Sequence, residues 1–162
     1  MTFSLLGRCA RTGQFGAAVT TSSIAVGTRV PFLAAGIGGV LTQHRTDPRL
    51  GPRGLDLLRS GCSAAETVAA LVASTPDHRW RQIAVMDAQG RTAHFDGERV
   101  KPSRSVSHGQ DVVALGNILA NERVAVAMAE AFLASAEQPL AERLVRALEA
   151  GEAAGGEHGD VT

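Results

Sequence analysis

Tyrosine is absent from the sequence, tryptophan occurs once, and aromatics make up only 4% of 162 residues. Packing therefore falls to Ala, Val and Leu, and 18 glycines imply closely approaching backbones. The two cysteines, Cys9 and Cys62, lack CxxC spacing and are too few for a disulfide framework or a zinc knuckle, so buried free thiols are expected. Neither sign of charge is in excess: sixteen Lys and Arg face sixteen Asp and Glu. No net field draws the chain to nucleic acid, anionic lipid or an acidic partner, and any substrate must be recognised locally. No stretch reaches the roughly 20 apolar residues of a membrane helix, and the start MTFSLLGRC has no basic leader. A soluble, cytoplasmic protein is expected.

Several kinds of chemistry are missing as well. His44, His78, His94, His108 and His158 are scattered, without the spacing that holds a metal, so no metal is expected. There is no G-x-x-x-x-G-K-[ST], and Gly36-x-Gly38-Gly39 is not followed promptly by a helix, so no phosphate-cradling loop and no cofactor are expected. No G-x-S-x-G elbow fixes a serine triad.

What is present is enough for one core, since 44% of the residues are hydrophobic and the length suits a single domain. That domain is expected over residues 1–156, followed by a polar chain end at 157–162. Alternation in Phe3–Cys9 and Phe15–Thr21 about an Arg11–Gln14 turn predicts a β-hairpin that ends in the hydroxyls Thr20, Thr21, Ser22 and Ser23. Ala34–Thr42 reads as one Gly-rich central strand, from which Gln43 and His44 lead into a loop. Leu55, Leu57 and Leu58 mark a short helix with Pro52 in its first turn and Gly61 at its end. Ser63-Ala64-Ala65-Glu66 is a capping box that opens a second helix to about Ser74.

Gln82–Asp87 and Arg91–Phe95 form a second hairpin. Gly97–Gln110 reads as a loop or an exposed edge strand, and Val112–Leu115 as a buried strand running into Gly116-Asn117. Two more helices follow, one with Val124, Met128, Ala131 and Phe132, the other started by Pro139 and stopped by Gly151. The tally predicts an α+β fold: two packed, mainly antiparallel sheets flanked by helix pairs, an αββα four-layer sandwich. Glu152–Thr162 is Gly-rich and polar and stops on Val161-Thr162 as a strand could begin, so terminal strands look missing.

One position carries chemistry of its own. If Met1 is trimmed, Thr2 becomes the first residue, and its free α-amine, with an ordinary pKa of about 8, is a general base for its own hydroxyl. The bland reading is a strand-edge threonine.

The segments MTFSLLGRCARTGQFGAAVTTS, TQHRTDPRLGPRGLDLLRSG, ALGNILANERVAVAMAEAF and PLAERLVRALEAGEAAGG, in that order, resemble the DUF1028 family over Thr2 to Gly156. The family is of uncharacterised function and is grouped by fold with the N-terminal-nucleophile (Ntn) hydrolases. Two departures stand out: Ala114-Leu115 occupies the place where many members have a Gln before Gly-Asn, and members usually continue into further strands. The resemblance implies an Ntn-type amidohydrolase cleaving a C–N bond in a small amide, peptide or cyclic amide. Thr2 would attack, and Asn117, beside Gly116, would hold the oxyanion. Ser22, Ser23, Gln43 and Gly116 are the candidates for contacting substrate or the nucleophile's amine. For Gly116-Asn117 a left-handed turn into the next helix is an equally good reading.

Two alternatives stay open. His158-Gly159-Asp160 resembles the polar residues before autoproteolytic cleavage sites. The chain end is then a truncation or processing boundary, with the nucleophile opening a companion C-terminal fragment after Thr162. Otherwise the chain is a non-catalytic Ntn-fold binding or assembly protein. A homo-oligomer is expected, and neither nucleic acid nor membrane as partner.

Overall fold

The structure, a computed structural model, describes residues 1–101 and 103–157. The processing boundary expected at His158–Thr162 lies outside the described residues. Eight strands and four helices alternate as β1 (Thr2–Arg8), β2 (Phe15–Thr21), β3 (Pro31–Ala34), β4 (Gly38–His44), α1 (Leu50–Arg59), α2 (Ala64–Ser74), β5 (Arg81–Asp87), β6 (Thr92–Asp96), β7 (Ser105–Gly109), β8 (Val112–Asn117), α3 (Arg123–Ala134) and α4 (Leu140–Ala153). The strands make two four-stranded antiparallel sheets, ordered β2-β1-β8-β7 and β3-β4-β5-β6.

The period-2 geometry of a strand explains the layering, because each central strand sends alternate side chains to opposite faces. From β1, Phe3 and Leu5 pack with Met128 and Phe132 of α3 and Leu144 and Ala147 of α4. Its next neighbour Leu6 points the other way, into a layer with Leu41, Ala84, Met86, Val113 and Leu115 between the sheets. Val40, Ile83 and Val85 carry the far face of the second sheet onto Leu50, Leu55, Leu58, Val68 and Leu71 of α1 and α2. Three apolar layers between four structural ones make the expected αββα sandwich.

Local chemistry sets most boundaries. At the start of α2 the Ser63 hydroxyl accepts from the Glu66 amide at 3.3 Å while the Glu66 carboxylate accepts from the Ser63 amide at 2.8 Å, the reciprocal box read from the sequence. Gly61, at φ +100, follows α1. Helix α1 itself begins at Leu50, two residues before Pro52.

Three expectations need correction or completion. Ala34–Thr42 is not one strand but the bend of a hairpin: β3 ends at Ala34, whose carbonyl accepts from the Ile37 amide at 3.1 Å, and β4 restarts at Gly38. Gly38 has φ +142, and a Cβ there would lie 2.1 Å from the Met86 carbonyl oxygen, so only glycine permits the close strand approach. Of the two readings left open for Gly97–Gln110, the edge strand holds for Ser105–Gly109. Gly151 does not stop α4. It is buried within the helix, where a Cβ would sit 2.8 Å from Met128, and the chain turns at the positive-φ pair Gly155 and Gly156.

Candidate active site

The inter-sheet layer changes character along its length. In β1 the residues facing the second sheet read Thr2, Ser4, Leu6, and antiparallel pairing sets Thr2 opposite Asn117 and Ser4 opposite Leu115 in β8. Gln43 pairs with Gln82 across β4 and β5. One end of the layer is therefore apolar, and the other collects Thr2, Ser4, Gln43, Gln82 and Asn117.

Those side chains form a closed hydrogen-bonded floor. The Ser4 hydroxyl donates to Gln43 Oε1 at 2.6 Å, and Gln43 Nε2 donates to Gln82 Oε1 at 2.7 Å. Asn117 Nδ2 donates to the same Gln82 oxygen at 3.0 Å, while Gln82 Nε2 donates to the Gly116 carbonyl at 3.0 Å. Ser4, Gln43 and Gln82 are wholly buried and Asn117 is 1% exposed. Four polar side chains so deep would be costly if unpaired, so their mutual satisfaction fixes each amide's orientation. The second N–H of Asn117 has no partner among the described residues.

Thr2 sits one step outward. Its Oγ1 lies 2.6 Å from the Met1 carbonyl oxygen and 3.1 Å from Thr21 Oγ1, and its single proton serves one of them at a time. Thr21 also donates to the Met1 carbonyl. With Met1 in place, both threonine hydroxyls are tied to that one carbonyl.

A cavity of about 270 Å³ opens over this end, bordered by Thr2, Thr21, Ser23, Asn117, His44 and two arginines, Arg29 and Arg45. Two of its wall residues hold left-handed backbone without being glycine, His44 at φ 57 and Ile118 at φ 57. For a β-branched residue such as Ile118 that conformation is a true outlier, and such strain concentrates at functional sites. The left-handed residue after β8 is thus Ile118, while Gly116 and Asn117 stay in the strand. Gly116 is small for packing, since a Cβ would lie 2.8 Å from Leu119.

The structure brings Thr2, Asn117 and Ser23 to the cavity. Gln43 and the Gly116 carbonyl lie beneath it in the floor, and Ser22 is exposed outside it. Four participants escaped the sequence reading. Ser4 and Gln82 carry no motif, and only the polar interruption of two apolar strands marks them. Thr21 was one of four adjacent hydroxyls. His44 was read as a strand-end residue, yet its ring stacks on Trp80 with centroids 6.2 Å apart, and Nδ1 lies 2.8 Å from the Trp80 carbonyl. A carbonyl only accepts, so Nδ1 carries the hydrogen and Nε2 keeps a free lone pair. Burial, followed by nearby positive charge, lowers the His44 pKa and keeps the ring neutral.

Away from the cavity, His94 and His108 meet across the edges of the two sheets. Nε2 of His108 is 2.8 Å from Nδ1 of His94, and its Nδ1 is 2.7 Å from the Thr92 hydroxyl. Among the described residues, no group of three or more His, Cys, Asp or Glu is placed to hold a metal, and no helix is long and apolar enough to cross a membrane.

Comparison with known proteins yields a family and a fold relative. No curated protein matches the chain. The crystal structure of protein SPO2555 from Silicibacter pomeroyi, itself assigned to DUF1028, superposes with a TM-score of 0.91 at 32% identity. The match covers 96% of this chain and 71% of that one. The DUF1028 family model, described as a family of unknown function, matches residues 2–162, and the chain belongs to that family.

Proposed function

We propose that the chain is an amide hydrolase of the N-terminal-nucleophile type, with Thr2 as nucleophile and Asn117 as an oxyanion donor. One observation carries the reading: Thr2 faces Asn117 at the open end of a buried, fully satisfied amide network, under a cavity walled by strained backbone.

Loss of Met1 removes the carbonyl that holds the Thr2 and Thr21 hydroxyls and uncovers the Thr2 α-amine. The Thr2 oxygen then adds to an amide carbonyl carbon while its proton passes to the α-amine. The uncommitted Asn117 N–H stabilises the developing oxyanion, and its tie to Gln82 spares the amide reorientation during reaction. Collapse breaks the C–N bond as the α-amine returns the proton to the leaving nitrogen. Water then cleaves the resulting ester and restores Thr2. Neutral His44 supplies a second base in the cavity wall. The cavity's size suits a small amide, short peptide or cyclic amide.

Intact mass of the purified protein combined with turnover of a panel of such amides tests this. The active form is expected to lack Met1. Thr2→Ala is expected to lower hydrolysis by at least about 10³-fold, while Thr2→Ser keeps measurable activity. Retention of Met1 in the active protein, or full activity in Thr2→Ala, would overturn Thr2 as nucleophile. A co-purifying fragment that opens with Ser, Thr or Cys would transfer the role to that fragment. Absence of turnover across the panel, with amides still bound, would instead mark a binding protein.

A further inference from the structure

The charges of the chain balance overall, yet they are not balanced at the cavity. Across the described residues, arginines are matched to acids in eight ion pairs, among them Arg8–Asp111 and Arg91–Asp87. At the cavity wall stand Arg29, Arg45 and the Met1 end of the chain, and no carboxylate lines it. Neither arginine has an ion-pair partner among the described residues. The acid nearest in sequence, Asp47, is taken on both oxygens by Arg49, at 2.9 and 2.8 Å.

Both guanidinium groups are nevertheless held in position. Arg29 donates to the Ile24 carbonyl at 2.7 Å, to the Ser23 hydroxyl at 3.1 Å and to the Ala25 carbonyl at 3.4 Å. These neutral partners orient the group without cancelling its charge. The Arg45 guanidinium lies over the Trp80 ring, 3.9 Å from its centroid, which fixes its plane and leaves its N–H edge for a ligand. A positive field in this region also registers on His44, where the charges of Arg45, the chain N-terminus and Lys101 add to the effect of burial in lowering its pKa.

Building on the hydrolase reading, we infer that the substrate carries a carboxylate beside the scissile amide, bound by Arg29 and Arg45 while the amide faces Thr2. A planar guanidinium accepts a carboxylate in a two-point, charge-assisted grip, and the hydroxyls of Thr21 and Ser23 are suited to the neutral part of the molecule. A cavity of about 270 Å³ admits a molecule of N-acyl amino acid size and little more. Short N-acyl amino acids and amides of dicarboxylic acids are the class defined by this chemistry.

The experiment is a binding comparison of N-acyl amino acids with their uncharged carboxamides and with inorganic phosphate. It uses the purified full chain and its Thr2→Ala variant, followed by calorimetry and by emission of Trp80, the sole tryptophan. At least one acid is expected to bind about tenfold or more tightly than its carboxamide. R45Q and R29Q should each erase most of that preference, with melting temperatures reporting whether each variant folds, while Thr2→Ala preserves it. If no acid outbinds its carboxamide, through equal affinity or no binding at all, the inference is overturned. It is equally overturned if phosphate binds more tightly than every acid, or if the preference survives both arginine substitutions in folded protein. Carboxylate preference without hydrolysis would defeat the hydrolase reading alone, and hydrolysis indifferent to charge would defeat this inference alone.

Discussion

The sandwich opens at both ends, and the two openings differ in kind. The larger, about 890 Å³, lies between the β1–β2 turn, the β3–β4 turn and the start of α4, bordered by Phe15, Leu33, Leu140 and Leu144 with no ionisable residue. The smaller, about 270 Å³, holds two threonine hydroxyls, a buried amide, an imidazole and two arginines. Volume therefore does not mark the chemistry here, although a large apolar pocket is the usual first guess. The difference arises from register. Each of the four central strands carries its polar inter-sheet residue at the same end: Ser4, Gln43, Gln82 and Asn117.

The strongest way to break that contrast is to remove the centre of the polar floor. Gln82→Leu keeps the approximate shape but withdraws the acceptor of two amides and the donor to the Gly116 carbonyl. Buried groups left unsatisfied cost about 1–3 kcal/mol each, and not additively, so a loss of about 3 kcal/mol is expected in urea unfolding at unchanged m-value. A loss under about 0.5 kcal/mol would mean that water reaches the floor, making the two ends alike in solvation.

Much of this architecture could be read from local sequence, and the site much less so. The Ser63–Glu66 box, the β5–β6 hairpin and the two last helices are signals that neighbouring residues decide among themselves. The floor is not local: Ser4, Gln43, Gln82 and Asn117 meet only because two sheets stack in one register. Thr2 and Asn117 were accessible because residue chemistry and family resemblance both pointed at strand ends. Gln82 was not, since one polar residue in an apolar strand equally suits an edge. The split of Ala34–Thr42 into a hairpin bend was missed because its glycines suit a packed strand as well as a turn. Gly151 misled for a related reason, as glycine ends helices but also admits a neighbouring helix. The arginine pair shows a further limit: a balanced total charge hides a local imbalance.

Acidity sharpens the comparison on a smaller scale, since only the smaller opening has a titratable wall. His44 is held below its ordinary pKa of 6.5 by burial first, then by positive charge. In that case the unfolded chain takes up the proton more readily than the folded one. The stability from neutral His44 is complete above 6.5, then falls as pH drops through the unfolded value toward the lowered folded one. His108 is shifted the same way by burial and by His94, so wild type alone cannot apportion the slope. His44→Asn, which tolerates the left-handed backbone, is expected to flatten part of the decline in melting temperature below 6.5 while leaving the His108 part. An unchanged slope would assign the whole effect to the sheet-edge histidines.

The smallest expected effect tests the larger opening directly. Ala141 is exposed on its rim at the start of α4, so Ala141→Arg puts a long charged side chain across the apolar groove without disturbing the core. Surface changes of this kind usually shift stability by less than about 0.5 kcal/mol, and arginine is a good helix former. If chemistry belongs to the polar end, amide turnover and carboxylate preference stay within about twofold of wild type, a change of under about 0.5 kcal/mol in the reaction barrier. A loss of tenfold or more in folded protein would mean that substrate enters, or is held, through the apolar end. The division of labour between the openings would then be reversed, because no group bordering the larger one can move a proton near neutral pH, and the polar floor would act only on what that groove delivers.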